Sequence, residues 1–153
     1  MTRILADVVW PALFLEARVF SWWAIGIGLL IELFFVRYLT KLGWPKCVLA
    51  DVTMNAASSL LGVFLIPAAG IGWEIFPGSL IQATFNVGTF NPATWAGTFI
   101  LAVVINAVLE SSILRFVFKQ PGFKRLFWWL CVANALSVAV AFGSLWIYPP
   151  RDF

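Results

Sequence analysis

Long apolar stretches, separated by short polar interruptions, set the rhythm of the chain. The first covers residues 19–36 between Arg18 and Arg37, and its helix could begin as early as Pro11, a residue suited to a first helical turn. The second runs from about Cys47 to Ile66 and ends at Pro67 and the glycines of PAAGIGW. The third opens at NPATW, where Asn91 reads as an N-cap and Pro92 as the first helical residue, and continues to about Phe118. The fourth extends from about Leu126 to Tyr148, where PPRDF stops it. Each stretch approaches the roughly 20 residues of helix that cross a hydrocarbon core. The pattern predicts an all-α integral membrane four-helix bundle built from two similar transmembrane hairpins, one over about 11–67 and one over about 92–148.

Between the hairpins, residues 68–91 are uncharged except for Glu74. The segment EIFPGSLIQATFN is too apolar for an ordinary solvent loop and too short to span. It is expected as a re-entrant or interfacial segment, or as an ordered apolar loop over the helix ends.

Composition agrees with lipid as the solvent. The 153 residues suffice for one domain, and 62% of them are hydrophobic against roughly 45–50% in soluble domains. Charged residues make up 11% against about 25%, and the mean hydropathy is +0.95. A soluble core of this size could not hide that much apolar surface. The N-terminal stretch is broken by Asp7, Pro11 and Glu16 and is not expected to be a cleaved signal peptide.

The basic residues then orient the chain. Arg37, Lys41 and Lys46 lie between the first two stretches, and Arg115, Lys119, Lys124 and Arg125 between the last two; together they are seven of the ten. The positive-inside rule places both short loops in the cytoplasm and both termini outside, as in a bacterial inner membrane. Trp44, Trp128 and Trp129 fall near the basic side, and Trp10, Trp73, Trp95 and Trp146 near the other, as interfacial belts would. The net charge of +3 comes without a basic stripe interleaved with polar residues, so no nucleic-acid partner is expected.

Catalytic chemistry leaves little trace. The absence of His removes the commonest ligand of zinc and haem sites, and no metal or cofactor is expected. Cys47 and Cys131 form no CxxC pair and both map near the basic side, where reduced, structural thiols are expected. No nucleophile–His–acid constellation or phosphate-binding loop occurs, and GIGLL in the first stretch reads as packing glycine.

The rare polar residues inside the apolar stretches are the informative ones. Setting residues 31–59 against 109–138 aligns Glu32 with Glu110, Arg37 with Arg115, and NAAS (55–58) with NALS (134–137), with one gap in the loop. The match predicts an internal repeat of two units in the same orientation. Each Glu lies as far before its turn as Asn55 or Asn134 lies after it, so each Glu–Asn pair shares one depth, roughly 10 Å inside the boundary. Glu32–Asn55 and Glu110–Asn134 contacts are expected within the hairpins. Positions i and i+5 diverge by about 140° on a helix, so Arg37 and Arg115 read instead as anchors reaching the cytoplasmic edge.

Asp51 has no counterpart in the second unit, where Leu130 takes its place. With Asn55, Ser58, Ser59 and Gly62 it forms one polar and small helix face, and Asn106 stands one turn before Glu110 on the third stretch. If those faces meet, Glu32, Asn55, Glu110, Asn134, Asp51, Asn106, Ser58 and Ser137 form one intramembrane polar site. Asp51 is also only five residues from Lys46, which suits a simpler place near the interface. The leading expectation is a non-catalytic accessory, assembly or oligomeric module, in which Glu–Asn pairs fix helix packing within the bilayer or a larger complex. The alternative is a small proton- or cation-linked transporter or channel using Glu32 and Glu110. A lipid- or quinone-handling enzyme comes third.

Overall fold

A computed structural model describes residues 22–86 and 92–147, and among these there is helix and turn but no strand. Four long helices carry the architecture: α1 (Trp22–Leu39), α2 (Trp44–Trp73), α4 (Pro92–Phe116) and α5 (Phe123–Ile147). A wide helical turn over Glu74–Gly78 and the short α3 (Ser79–Phe85) lie between α2 and α4. The expected start of the first stretch, the Asn91 cap and the terminal Tyr148 lie outside the described residues.

Three apolar helical segments are long enough to cross a membrane: Trp44–Phe85, Ala96–Phe116 and Phe123–Val140. They mark the chain as an integral membrane protein. The described part of α1 adds 18 apolar-rich residues, about 27 Å of helix.

Short connections hold the helix pairs. Between α1 and α2, Thr40 folds back with its Oγ1 donating to the Val36 carbonyl at 2.8 Å, and Gly43 enters α2 in an extended conformation just before Trp44–Pro45. Between α4 and α5 the chain turns at Gly122, whose φ of +80° is open to glycine at little cost. Helix α1 packs on α5 and α2, and α4 packs on α2 and α5, so the long helices touch in a cycle.

Helix α2 departs from the expectation that it ends at Pro67. It continues through that proline to Trp73, 30 residues and about 45 Å in all. Proline removes one backbone donor, but unwinding at this depth would strand several more groups in an apolar medium, so the helix persists. The true break comes at Phe76, whose extended backbone (φ −167°, ψ 128°) interrupts the helix before Pro77. Residues 68–73 thus belong to α2, and α3 ends at Asn86 in the left-handed region, a conformation asparagine tolerates.

Packing is uneven along the helices. One buried cluster, of Val36, Cys47, Ala50, Met54, Ala107, Leu114, Leu126 and Leu130, lies next to both short connections, which therefore share one end of the molecule. Phe35 and Tyr38 of α1 meet Trp129 of α5 at 6.0 and 5.7 Å between ring centroids, at the same end. Further along α2, Leu60, Leu61, Phe64 and Leu65 are exposed, a surface suited to lipid chains.

Candidate intramembrane polar site

The polar residues singled out in the sequence gather just beyond that cluster. On α1, Glu32 lies one helical turn before Val36, and on α4, Glu110 lies one turn before Leu114; both valine and leucine are fully buried. The same periodicity turns each carboxyl group inward. Glu32 is 4% exposed and Glu110 1%.

Glu110 takes its hydrogen bond as the spacing predicts. Asn134 Nδ2 on α5 donates to Glu110 Oε2 at 2.6 Å, and also to the Leu130 carbonyl of its own helix at 3.0 Å. Ser58 of α2 stands beside the same carboxyl group. Glu32 keeps the expected Asn55 and adds a partner that the spacing did not predict. Asn55 stays beside its carboxyl group, but the short bond comes from Ser137 Oγ on α5, at 2.7 Å to Glu32 Oε1. Asn55 Nδ2 instead donates to the Asp51 carbonyl at 3.0 Å and lies 3.5 Å from Asp51 Oδ1. Asn134 makes the same i−4 carbonyl bond and still reaches Glu110, so what differs on α2 is the further acceptor that the Asp51 carboxyl group offers.

Each glutamate therefore meets an Asn from the helix that follows it and a Ser from the other pair of helices. Glu32 has Asn55 and Ser137; Glu110 has Asn134 and Ser58. The two arginines also match. Arg37 Nη1 donates to the Leu42 carbonyl at 3.3 Å and Arg115 Nη1 to the Gln120 carbonyl at 3.4 Å. Both side chains are exposed and tie down the short connections, and neither bonds a glutamate.

Asp51 is buried among the helices, at 4% exposure. It lies within electrostatic reach of both Glu32 and Glu110, so three carboxyl groups from α1, α2 and α4 share one region. Among the described residues no group of three acids or thiols has the geometry to hold a metal ion. Hydrogen bonding within this region is incomplete. Glu32 Oε2, Glu110 Oε1, Asn106 Oδ1 and Ser111 Oγ are buried without a close hydrogen bond, with Asn55 and Ser58 standing beside the two carboxyl groups as further donors.

One contributor to the site, and one further buried hydroxyl, did not stand out in the sequence. Gly28 accepts the second bond of Ser137 Oγ, at 3.2 Å to its carbonyl, and the serine side chain fills the space where a Cβ would stand. Its position one turn before Glu32 was the available signal. Ser111 is fully buried beside Glu110 in sequence, and nothing in the residue pattern distinguished it from Ser112, which bonds its own helix. No family model matches the chain, and neither a curated protein nor a solved structure matches it at a significant level.

Proposed function

We propose that the chain is a proton-linked membrane transport protein, a four-helix bundle of two similar hairpins, in which Glu32 and Glu110 exchange protons with Asp51 between them. The observation that carries the reading is the gathering of three buried carboxyl groups, Glu32, Asp51 and Glu110, from three helices. Interhelical glue would need only the Glu–Asn pairs, and a third buried acid adds a desolvation cost. Asp51 bonds within α2 and has no equivalent in the second half. Neighbouring buried carboxyl groups can pass a proton, and ionisable groups within spans ordinarily mark such paths. Matching partners at Glu32 and Glu110, and matching arginine contacts, support the repeat. The basic connections support a cytoplasmic placement for that end.

A second reading, an accessory or assembly module, is favoured by a different observation. Asn134–Glu110 ties α5 to α4 and Ser137–Glu32 ties α5 to α1, so the same side chains also lock the helices. The double variant Glu32→Gln/Glu110→Gln separates the two, because the amide keeps an acceptor for each donor but cannot titrate. Reconstituted in vesicles, the wild type is expected to speed collapse of an imposed pH gradient, and the variant to return it to the protein-free rate with little change in thermal stability. Gradient collapse that is absent in the wild type or unchanged in the variant would overturn the transport reading; a large stability loss would favour the module.

A further inference from the structure

The end of the molecule bearing the two short connections is strongly and one-sidedly charged. Arg37, Lys41, Lys46, Arg115, Lys119, Lys124 and Arg125 are all exposed there. No Asp or Glu occurs from residue 33 to 50 or from 111 to 151, so no acid on these segments offsets them. Like charges gathered at one end of a molecule attract anions, and salt screens that attraction.

The placement of three of these charges is informative. Lys46, Lys124 and Arg125 stand in the first turns of α2 and α5, neither of which has an acid in that turn. Cations at a helix start oppose the backbone dipole, which favours anions there. Arg37 and Arg115, in contrast, close α1 and α4 with the favourable sign and are held by carbonyls of the connections. Arg37 also lies over the Trp44 ring, 5.6 Å from its centroid. Around the same end Tyr38, Trp44, Trp128 and Trp129 are exposed, the aromatic composition of a headgroup-level belt.

We propose that this end binds acidic phospholipid headgroups. Their phosphates would sit between the lysines and the two helix starts, with the acyl chains running along the exposed apolar flank of α2. A lipid satisfies both halves of the surface at once, the cations with its phosphate and the apolar flank with its tails. A soluble anion would satisfy only the first. Exposed juxtamembrane cations attract anionic leaflets by about 1 kcal/mol each, or about fivefold in affinity. This surface is separate from the carboxyl cluster, and its test does not depend on transport.

The test compares lipid retention by the full chain in mild detergent, by native mass spectrometry, after addition of phosphatidylglycerol or phosphatidylcholine at equal concentration. Preferential retention of phosphatidylglycerol is expected, weakening as salt is raised. The variant Lys41→Gln/Lys46→Gln/Lys119→Gln/Lys124→Gln is expected to lose at least tenfold of that preference. The corresponding Lys→Arg variant, which keeps the charge, is expected to retain it. The arginines that bond the connections are left in place so that the fold is preserved. Equal retention of the two lipids, a preference indifferent to salt, or a Gln variant like the wild type would overturn the proposal. So would competition by inorganic phosphate at the same concentration as the lipid, which would identify a soluble-anion site. Should the Gln variant fail to fold, the salt dependence and the Lys→Arg variant decide on their own.

Discussion

Glu110 and Glu32 stand in like positions on α4 and α1, yet their bonds differ. Glu110 is held by an amide that is itself 2% exposed, and Asn134 serves it and the Leu130 carbonyl together. Glu32 is held by a hydroxyl from the other helix pair, while Asn55, its nearer neighbour in sequence, turns back to Asp51. What separates the two sides is the residue one turn before the asparagine: Leu130 in one case, Asp51 in the other. An apolar residue there leaves the amide only a carbonyl to share with the glutamate. A second carboxyl group competes for it.

The largest test of that comparison removes the two amides in turn. Asn134→Leu leaves Glu110 without its short bond in a fully buried place and is expected to cost about 1–3 kcal/mol. Asn55→Leu removes contacts that stay mostly within α2 and is expected to cost about 0.5 kcal/mol or less. Thermal or denaturant unfolding in detergent measures both, and equal losses would mean that the two sides are held alike. The serines should rank in the opposite order. Ser137→Ala removes a 2.7 Å bond to Glu32 and is expected to cost about 1 kcal/mol. Ser58 Oγ bonds the Asn55 carbonyl of its own helix at 3.2 Å and stands beside Glu110, so Ser58→Ala should cost less than Ser137→Ala, about 0.5 kcal/mol.

A smaller effect of opposite sign is expected at Asp51. Asp51→Leu puts into the first half the residue that the second half already carries. It removes a buried carboxyl group whose hydrogen bonding within α2 is weak, and a gain of up to about 1 kcal/mol is expected. Asn55 would then be free to bond Glu32, so Ser137→Ala should cost less in the Asp51→Leu background than alone. A larger cost there would show that Asp51 does not compete for the amide.

The sequence made much of this legible, for a physical reason. In an apolar chain a polar residue is costly, so Glu32, Asp51, Glu110 and the asparagines stand out from their surroundings, and their distance from the turn predicts their depth. The helix stretches were legible on the same ground. Pro67 misled because the rule that proline ends a helix assumes water to satisfy the freed groups, whereas an apolar medium favours continuing. The addition of Ser137 beside Asn55 at Glu32 was not legible. It depends on which of several groups within reach an amide prefers, a choice set by side-chain geometry that spacing alone leaves open.

The finest test concerns Gly28, which the residue pattern marked only as packing glycine. A Cβ at Gly28 would lie 3.2 Å from Ser137 Oγ and 3.6 Å from its Cβ. The second distance is ordinary contact, so the hydroxyl is what must move. Swinging it away gives up the bond to the Gly28 carbonyl and loosens the one to Glu32. Gly28→Ala is therefore expected to cost about 0.5 kcal/mol, while Gly26→Ala, whose Cβ meets nothing within 4 Å, should be neutral or slightly stabilising. The cost at Gly28 should vanish in a Ser137→Ala background, because the atom in the way is gone. A double-mutant cycle reads that coupling directly. If Gly28→Ala costs the same with and without the hydroxyl, the glycine serves the approach of α1 to α5 and not the placement of the serine on Glu32.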